Sequence, residues 1–211
     1  MPPKSTPRKI ARAARFRSKL LAWFRRHGRD LPWRRTRDPY RILVSEVMLQ
    51  QTQVARVSEY YPRFLAAFPT LRRLAAARPQ RVREAWDGLG YYRRAANLRR
   101  LAREVEQNHG GRLPSEPEAL RALPGVGRYT AGAIASFAFG KAVPAVDTNV
   151  SRVIRRAFHP RLPGNGQGEQ RVWHTAAALL PRRTRDAWAF NQAVMELGAL
   201  ICVARRPKCP E

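Results

Sequence analysis

The sequence predicts an all-α protein, because apolar residues recur at helical spacing and strand patterns are missing. In RFRSKLLAWFRRHG (residues 15–28), for example, the apolar positions 16, 20, 21 and 24 share one helical face, and Gly28 ends the pattern. No segment alternates apolar and polar residues over a useful length, and no internal repeat occurs. The 211 residues, 44% of them hydrophobic, suffice for one large domain or two small ones.

The net charge indicates a polyanionic partner. Lysine and arginine number 41 against 15 aspartates and glutamates, which gives a formal charge of +26. Such a surplus attracts nucleic acid or an anionic membrane, although a high arginine content can also reflect genomic base composition. No apolar run approaches the roughly 18 residues that span a bilayer, and no signal segment opens the chain. We therefore expect a cytoplasmic, nucleoid-associated protein that binds no membrane.

Helical segments follow one another after a Pro-rich, basic start. Residues 1–14 (MPPKSTPRKIARAA) predict a disordered basic arm. After the helix at 15–27, a second helix is expected to start at Pro39 and to run through PYRILVSEVMLQQTQVARVSEYYPRFLAAF. A third helix, RRAANLRRLAREVEQNHGG (residues 93–111), has an apolar face opposite a strongly basic one and closes at its two glycines.

Two helices meet at a tight turn in the segment LPGVGRYTAGAIASFAFG (residues 123–140). Ser115 and Glu118 have the spacing of a capping box, which predicts that a short helix starts there. Gly125 and Gly127 can take the positive φ at which the chain turns toward a second helix. Helix, glycine turn and helix together form a helix-hairpin-helix arrangement.

The same turn is a candidate anion site. Where the second helix opens, near Tyr129, the backbone N–H groups of roughly residues 126–130 point outward together, and the helix dipole adds partial positive charge. From this stretch alone, a helix-helix turn that binds no ligand explains the glycines equally well.

Two further helices are expected toward the C-terminus. DTNVSRVIRRAF begins with Asp147 in the N-cap position, and apolar residues recur at helical spacing after it. Residues 160–168 (PRLPGNGQG) predict a loop, and AWAFNQAVMELGALIC (residues 187–202) predicts a final buried helix.

Two carboxylates stand out in a chain poor in acids. Glu46 has mostly apolar neighbours three and four residues away, so desolvation would raise its pKa and suit it to general-acid chemistry. The alternative is a glutamate that lies at the edge of the core or is paired with one of the many arginines. Asp147 is most simply a helix N-cap, but it emerges from an apolar segment close to the hairpin. An acid and a charge stabiliser beside a bound polyanion are the groups that cleavage of a nucleoside's glycosidic bond requires.

Five ordered motifs span about residues 15–211: SEVMLQQTQV, GLGYYRRAANL, LPGVGRYTAGAIASFAFG, VDTNVSRV, and ELGALIC with RRPKCP. Together they resemble the helix-hairpin-helix superfamily of DNA glycosylases. Within it, SEVMLQQT and GLGYY are most similar to the adenine glycosylases that act at A/G and A/8-oxoguanine mismatches. One departure is DTN, where the adenine enzymes usually have DGN.

The resemblance implies an endonuclease III-like fold of two helical subdomains, with the active site in the cleft between them. Residues 39–143 would form a six-helix subdomain that contains the helix-hairpin-helix at about 116–140. Residues 15–38 and 144–211 would form the second subdomain, which is built from both ends of the chain.

The activity implied is that of a monofunctional base excision repair glycosylase, which hydrolyses the N-glycosidic bond of adenine opposite G or 8-oxoguanine. Glu46 matches the acid that protonates adenine N7, and Asp147 matches the aspartate that stabilises the oxocarbenium-like sugar. Tyr129 occupies the position where bifunctional relatives have a lysine that forms a Schiff base. We therefore expect that the enzyme has no strong AP lyase activity and that Tyr129 lines the base pocket. The alternatives are a thymine (T/G) mismatch or endonuclease III-like glycosylase, and a noncatalytic helix-hairpin-helix DNA-binding module.

The partner implied is double-stranded DNA with a mismatched or oxidised base pair, bound by a monomer. Gln51 and Tyr91 resemble residues that wedge into the duplex and offset the unstacking cost of base flipping. The glycine turn would hold a phosphate through backbone amides. By resemblance, the residues expected to contact DNA are Arg29, Trp33, Arg34, Gln50, Gln51, Leu89, Tyr91, Gly125, Val126, Gly127, Arg128 and Asn149.

Cys202 and Cys209 match the first two ligands of the pattern C-x6-C-x2-C-x5-C, by which the family holds a four-iron, four-sulfur (4Fe-4S) cluster. Two thiolates cannot hold a cluster that needs four, so either the sequence is truncated or this form lacks the cluster. The domain by which the family recognises 8-oxoguanine also lies outside the 211 residues, from which we expect weak lesion discrimination.

Overall fold

A computed structural model describes residues 7–181 and 183–209, and it describes side chains from residue 12 onward except at 182, 184 and 185. Among these residues there is no β-strand, which confirms the all-α prediction. None of the helices that they form is long and apolar enough to cross a membrane. The helices are α1 (Pro7–His27), α2 (Pro39–Leu49), α3 (Val54–Ala67), α4 (Leu71–Ala76), α5 (Pro79–Ala85), α6 (Arg93–Asn108), α7 (Pro117–Arg121), α8 (Arg128–Phe137), α9 (Thr148–Phe158), α10 (Gly166–Leu179) and α11 (Thr184–Leu200).

The chain divides into two compact units. Unit 1 consists of the described residues up to Arg29 together with those from Gly140 onward, and unit 2 consists of residues 30–139. Residues 30–38, which the sequence analysis grouped with the chain ends, therefore belong to unit 2. Between residues 39 and 143 the structure has seven α-helices, α2 to α8, where six were expected.

Helix α1 begins earlier than the sequence analysis expected. It starts at Pro7, so residues 7–14 of the expected disordered arm are helical, while residues 1–6 lie outside the described part. The alanines and arginines of this stretch are strong helix formers. A tertiary contact also holds it, because the Arg12 guanidinium donates to the Ala157 carbonyl and lies 5.3 Å from the centre of the Phe158 ring.

The long helix expected from Pro39 is two helices in the structure. Helix α2 ends at Leu49, Gln50 is extended, and Gln51 takes a left-handed conformation with φ +56° before α3 starts at Val54. The apolar periodicity continues across the break, which is why it predicted one helix. At the break, the Arg94 guanidinium of α6 donates to the carbonyls of Val47 and Met48, a contact that the local sequence does not reveal.

The capping box expected at Ser115 and Glu118 does not form. Pro117 occupies the first helical position of α7, which makes Glu116 the N-cap residue and moves the start of the helix by one position. The Ser115 hydroxyl instead donates to the Glu116 carboxylate at 3.3 Å. The helix-hairpin-helix is nevertheless present as α7, a glycine turn and α8.

Unit 2 is built around α2. This helix packs against α3, α6 and α8, and its side chains from Ile42 to Met48 are all buried. Around it lie the largest side chains of the core, among them Phe64 and Trp86, whose rings meet edge to face at 5.5 Å. A side chain between positions 42 and 48 of α2 is therefore packed on all sides and shielded from water.

Unit 1 is built around α11, which packs against α1 and α9. The approach to α9 is close at Gly198, where a Cβ atom would lie 2.7 Å from Asn149 Cβ and 3.0 Å from the Asn149 carbonyl oxygen. The Asn149 carbonyl oxygen is a backbone atom, so it could make room for a Cβ atom only if α9 moved. Gly198 therefore sets the position of the first turn of α9.

Replacing Gly198 with alanine should lower the free energy of unfolding by about 2 kcal/mol, because the added methyl overpacks the contact with α9. Thermal unfolding followed by circular dichroism measures the change. Gly166→Ala is the matched control, since Gly166 lies in α10 and a Cβ there meets nothing within 4 Å. An equal melting temperature for Gly198→Ala and the wild type would contradict this account of the contact.

Candidate active site

Glu46 lies in the middle of α2 and only 4% of it is exposed. The apolar neighbours that the sequence places around it, such as Ile42 and Leu43, are buried with it. A buried carboxyl group is tolerated in a core only when hydrogen bonds replace its lost hydration. One such bond comes from the hydroxyl of Tyr129, which donates to Glu46 Oε2 at 2.7 Å.

Tyr129 brings the hairpin helix to the acid. It is the second residue of α8, directly after the glycine turn, and it is half-buried. Because its hydroxyl is bound to the Glu46 carboxyl, the start of α8 and the middle of α2 are joined through the side chains of these two residues. Gln50 is a second contact between the same helices, with its Nε2 atom 3.5 Å from the Thr130 hydroxyl.

Asp147 caps the N-terminus of α9, as its sequence position predicts. Its Oδ1 atom accepts from the backbone N–H of Val150 at 2.7 Å, and its Oδ2 atom accepts from the side-chain amide of Asn149 at 2.9 Å. Burial raises the pKa of the Asp147 carboxyl above its ordinary value, and the bonds from Val150 and Asn149 oppose that rise. The group is therefore an acceptor that is fixed in direction and poorly hydrated.

Asn149 is itself held by Arg152. The Arg152 guanidinium donates to Asn149 Oδ1 at 2.7 Å and to the carbonyls of Gly198 and Cys202, each at 2.7 Å. Asn149 thus has its oxygen bound on one side and donates to Asp147 on the other. The sequence analysis assigned Asn149 to DNA contact, and in the structure its amide orients the Asp147 carboxylate.

Gln51 and Tyr91 lie at two exposed turns of unit 2. Both have positive φ, +56° for Gln51 and +47° for Tyr91, which is costly for residues that carry a Cβ. Tyr91 is 61% exposed, the largest exposure of any large hydrophobic residue among those described. Leu89, expected beside them as a DNA contact, is only 5% exposed and packs in the core.

The hairpin turn has the expected shape with two differences. Gly125 has φ +78°, and a Cβ there would meet Asn97 Cβ at 3.0 Å, so this position requires glycine. Gly127 has φ −89° and is the N-cap of α8, with no side chain capping it. Val126 is buried, and its N–H donates to the Leu123 carbonyl at 3.2 Å, which removes one of the amides expected to point outward.

The segment GRDLPWRR contributes to the fold at two of its three expected DNA contacts. Arg29 donates from its backbone N–H at 2.9 Å, and from Nε at 2.7 Å and Nη2 at 3.0 Å, to the carboxylate of Glu196, which is 1% exposed. Trp33 is buried and meets the Tyr61 ring edge to face at 5.7 Å. Arg34 is half-buried.

Cys202 and Cys209 do not form a metal site by themselves. Cys202 is half-buried, with its sulfur 3.5 Å from an Arg156 nitrogen, and Cys209 is exposed. Within the described part of the chain no three His, Cys, Asp or Glu side chains come together as metal ligands. The described residues therefore supply two of the four thiolates that the resemblance requires, and they do not fit a complete cluster.

Two arginines with central places in the structure were missed from the sequence. Arg94 is 8% exposed and binds two turns of unit 2, and Arg152 holds Asn149. A signal for Arg94 was present, because it lies four residues before Leu98 and seven before Leu101, on the apolar face of α6. Among 41 lysines and arginines, that signal was easily taken for one more solvated charge.

A family model for the HhH-GPD superfamily of base excision DNA repair proteins matches residues 44–175. This match includes the part of α2 that carries Glu46, the helix-hairpin-helix, and Asp147 at the start of α9. The chain therefore belongs to the HhH-GPD superfamily, as its motifs predicted.

Individual relatives agree with this placement. The chain is 46% identical to human adenine DNA glycosylase over an alignment of 215 residues. The alignment covers 97% of this chain and 39% of the human protein, so the chain spans less than half of that relative. Among solved structures, a thermostable thymine-DNA glycosylase matches with a TM-score of 0.88 and 34% identity, covering 96% of this chain and 93% of that one. A trapped covalent intermediate of endonuclease III with DNA matches with a TM-score of 0.81 and 25% identity, covering 98% and 92%. The expected endonuclease III-like fold is thereby confirmed.

Removing the charge of Asp147 should change how stability depends on pH. Because burial raises the folded-state pKa, the folded wild type takes up a proton at higher pH than the unfolded chain, whose pKa is about 3.9. The ionised carboxylate therefore costs stability above the raised pKa, and that cost disappears as the pH falls through it. The free energy of unfolding of Asp147→Asn, relative to that of the wild type, should therefore increase as the pH rises from about 4 to about 7.

Urea unfolding of the wild type and of Asp147→Asn, at about pH 4 and about pH 7, measures the difference in their free energies of unfolding. A difference that stays constant, or that moves in favour of the wild type as the pH rises, would contradict the assignment of a raised pKa to Asp147.

Glycine at position 51 should stabilise the protein by about 1 kcal/mol, because it relieves the left-handed strain at Gln51. Chemical denaturation of the purified variant measures the effect. The control is Gln107→Gly, at an exposed glutamine within α6, where the backbone is helical and glycine should destabilise by about 1 kcal/mol. Equal destabilisation by both substitutions would show that the Gln51 backbone carries no strain.

Proposed function

We propose that this protein is a monofunctional DNA glycosylase that removes adenine from mismatches with G or 8-oxoguanine. The observation that carries the proposal is the buried Glu46 carboxyl, which accepts a hydrogen bond from Tyr129. A protein that only binds DNA gains nothing from a buried acid, whereas a glycosylase needs a proton donor shielded from water. The 46% identity to an adenine DNA glycosylase supports adenine as the base.

The proposed reaction begins with transfer of the Glu46 proton to N7 of adenine. The C1′–N9 bond then breaks, its electron pair leaves with the base, and adenine departs as a neutral molecule. Positive charge develops on the sugar, where the ionised Asp147 carboxylate stabilises it. Water adds to C1′ and releases a proton, which returns Glu46 to its acid form. The bonds from Val150 and Asn149 keep the Asp147 carboxylate fixed while this charge develops.

Tyr129 supports the monofunctional part of the proposal. Its hydroxyl is bound to Glu46 and it offers no amine, so it cannot form a Schiff base with the sugar. We propose that the product is an intact abasic site and that the Tyr129 ring lines the base pocket. The hydrogen bond to Glu46 also orients the acid from which the proton is transferred.

The proposed DNA contacts lie on the hairpin and on the exposed turns of unit 2. The N-terminus of α8, with Gly125, Gly127 and the exposed Arg128, would bind a backbone phosphate. Gln51 and Tyr91 would enter the duplex as wedges when the base is everted. The surplus of 26 positive charges would supply affinity that is independent of sequence and falls with salt.

We further propose that the protein acts as a monomer on chromosomal DNA, and that Cys202 and Cys209 are the first two ligands of a four-iron, four-sulfur cluster when two further thiolates are available. The second candidate function is removal of thymine from T/G mismatches. The likeness to the thymine-DNA glycosylase, with 34% identity and a TM-score of 0.88, supports it.

Wild-type protein should release free adenine from an A/8-oxoguanine duplex in a single-turnover assay. Glu46→Gln should slow release by about a thousandfold, since it removes the transferable proton, and Asp147→Asn should slow it comparably. Both variants should still bind the duplex. The control is Glu59→Gln, which alters an exposed acid on α3 that pairs only with its helix neighbour Arg63 in the described contacts.

The same assay with A/G, T/G and oxidised-pyrimidine duplexes separates the alternatives. Release of thymine in place of adenine would establish the second candidate. Tight binding of all four duplexes by the wild type without release of any base would show a noncatalytic DNA-binding module.

A further inference from the structure

The Arg94 guanidinium donates six hydrogen bonds to described residues of unit 2. Arg94 is the second residue of α6, 8% exposed, and its guanidinium donates to groups on two separate stretches of chain. One stretch is the end of α2 with the Gln51 turn, defined as residues 50–53. The other is the Tyr91 turn, defined as residues 87–92.

At the first stretch the guanidinium closes the end of α2. Its Nη1 atom donates to the carbonyls of Val47 at 3.1 Å and Met48 at 2.7 Å, which are left without partners where the helix stops, and to that of Gln50. Its Nη2 atom donates to the Thr52 hydroxyl at 3.0 Å. Gln51 is therefore bracketed, with a bond to the residue on either side of it.

At the second stretch the same Nη2 atom donates to the carbonyls of Leu89 at 3.1 Å and Gly90 at 3.2 Å. The indole nitrogen of Trp86 donates to the Gly90 carbonyl as well, at 3.1 Å. The guanidinium carbon lies 5.4 Å from the centre of the Tyr91 ring and 5.4 Å from that of Trp86. Arg94 thus bonds to the two residues directly before Tyr91, and the Tyr91 ring lies against the Arg94 guanidinium.

The two turns need such a support because both are strained. Gln51 and Tyr91 have positive φ, and a strained backbone persists only where its surroundings hold it. Neither side chain is buried, so core packing does not hold it. The group bonded next to both is the Arg94 guanidinium.

Lysine could not replace this group. The acceptors on the two stretches require several donors in a fixed plane, which a guanidinium has and a single ammonium lacks. The guanidinium is surrounded by carbonyl dipoles and aromatic faces rather than by a carboxylate in the described contacts, and burial lowers the pKa of Arg94. Its positive charge therefore serves to hold carbonyl groups, not to bind a phosphate at the surface.

We propose that Arg94 is a positioning residue for base eversion: its guanidinium fixes the Gln51 turn and the Tyr91 turn at one spacing, so that both side chains enter the duplex together. The inference rests on the proposed function only in that it takes Gln51 and Tyr91 as the wedges. Arg94 touches neither the base nor the phosphate in this account. It acts through the two turns.

The test compares Arg94→Lys with Arg103→Lys, an exposed arginine on the same helix. The probe is a duplex with 2-aminopurine beside the target adenine, since 2-aminopurine brightens when its neighbour leaves the stack. Stopped-flow fluorescence should show eversion slowed about tenfold for Arg94→Lys and unchanged for Arg103→Lys. An eversion rate equal to that of the wild type would overturn the proposal.

Two further readouts separate positioning from a general loss of structure. Adenine release from a target opposite an abasic site, which costs little unstacking, should be slowed less than threefold. In a Gln51→Ala, Tyr91→Ala background, Arg94→Lys should add less than a threefold further loss of eversion rate, because the groups it positions are gone. Equal slowing on both duplexes, or a full additional loss in that background, would show that Arg94 acts elsewhere.

If Arg94→Lys fails to fold, Thr52→Val decides the question, because it removes one acceptor at the Gln51 turn and keeps the shape. Slower eversion with an unchanged melting temperature would support the proposal, and unchanged eversion would overturn it. The fluorescence readout does not require chemistry. A wild type that everts the base without releasing adenine would therefore refute the proposed activity and still test Arg94.

Discussion

A charged side chain that leaves water must find other dipoles, and this constraint shapes both units of the protein. In unit 2 the Glu46 carboxyl is matched by the Tyr129 hydroxyl and the Arg94 guanidinium by a set of carbonyls. In unit 1 the Glu196 carboxylate is matched by Arg29 and that of Asp147 by the start of α9. The bonds of Glu46, Arg94 and Glu196 each fix a distance between two elements, and those of Asp147 fix the direction of its carboxylate. The buried polar groups thus determine geometry that apolar packing alone leaves loose.

Much of the fold could be predicted because the determining signals are local. The end of α1 before Gly28, the cap at Asp147 and the glycine turn each depend on residues within a few positions of one another. The end of α2 does not, because it depends on an arginine that follows more than forty residues later in the sequence. An apolar pattern cannot record such a contact, and the two helices were therefore expected as one. The same holds for the contacts that make residues 7–14 helical.

The candidate site divides in the same way. Glu46, Asp147 and Tyr129 are proposed from motif and neighbourhood, because the chemistry proposed for them depends on residue type and local burial. Arg29 and Trp33 resembled DNA contacts by their motif, yet long-range partners engage them within the fold. Arg94 carries no motif role at all, and only its bonds across the fold reveal its place. Residues that act by holding others are the ones that sequence reasoning misses.

The narrow fit at Gly125 has a consequence for how the hairpin can vary. Its missing Cβ lets the turn lie against Asn97, which is on α6 three residues after Arg94. The proposed phosphate-binding turn, the Gln51 turn and the Tyr91 turn therefore all contact α6. A bulkier residue at Gly125 would push α6 away from the hairpin. Because Arg94 lies on the same helix, the spacing of the Gln51 turn and the Tyr91 turn would change although no residue in either turn had been replaced.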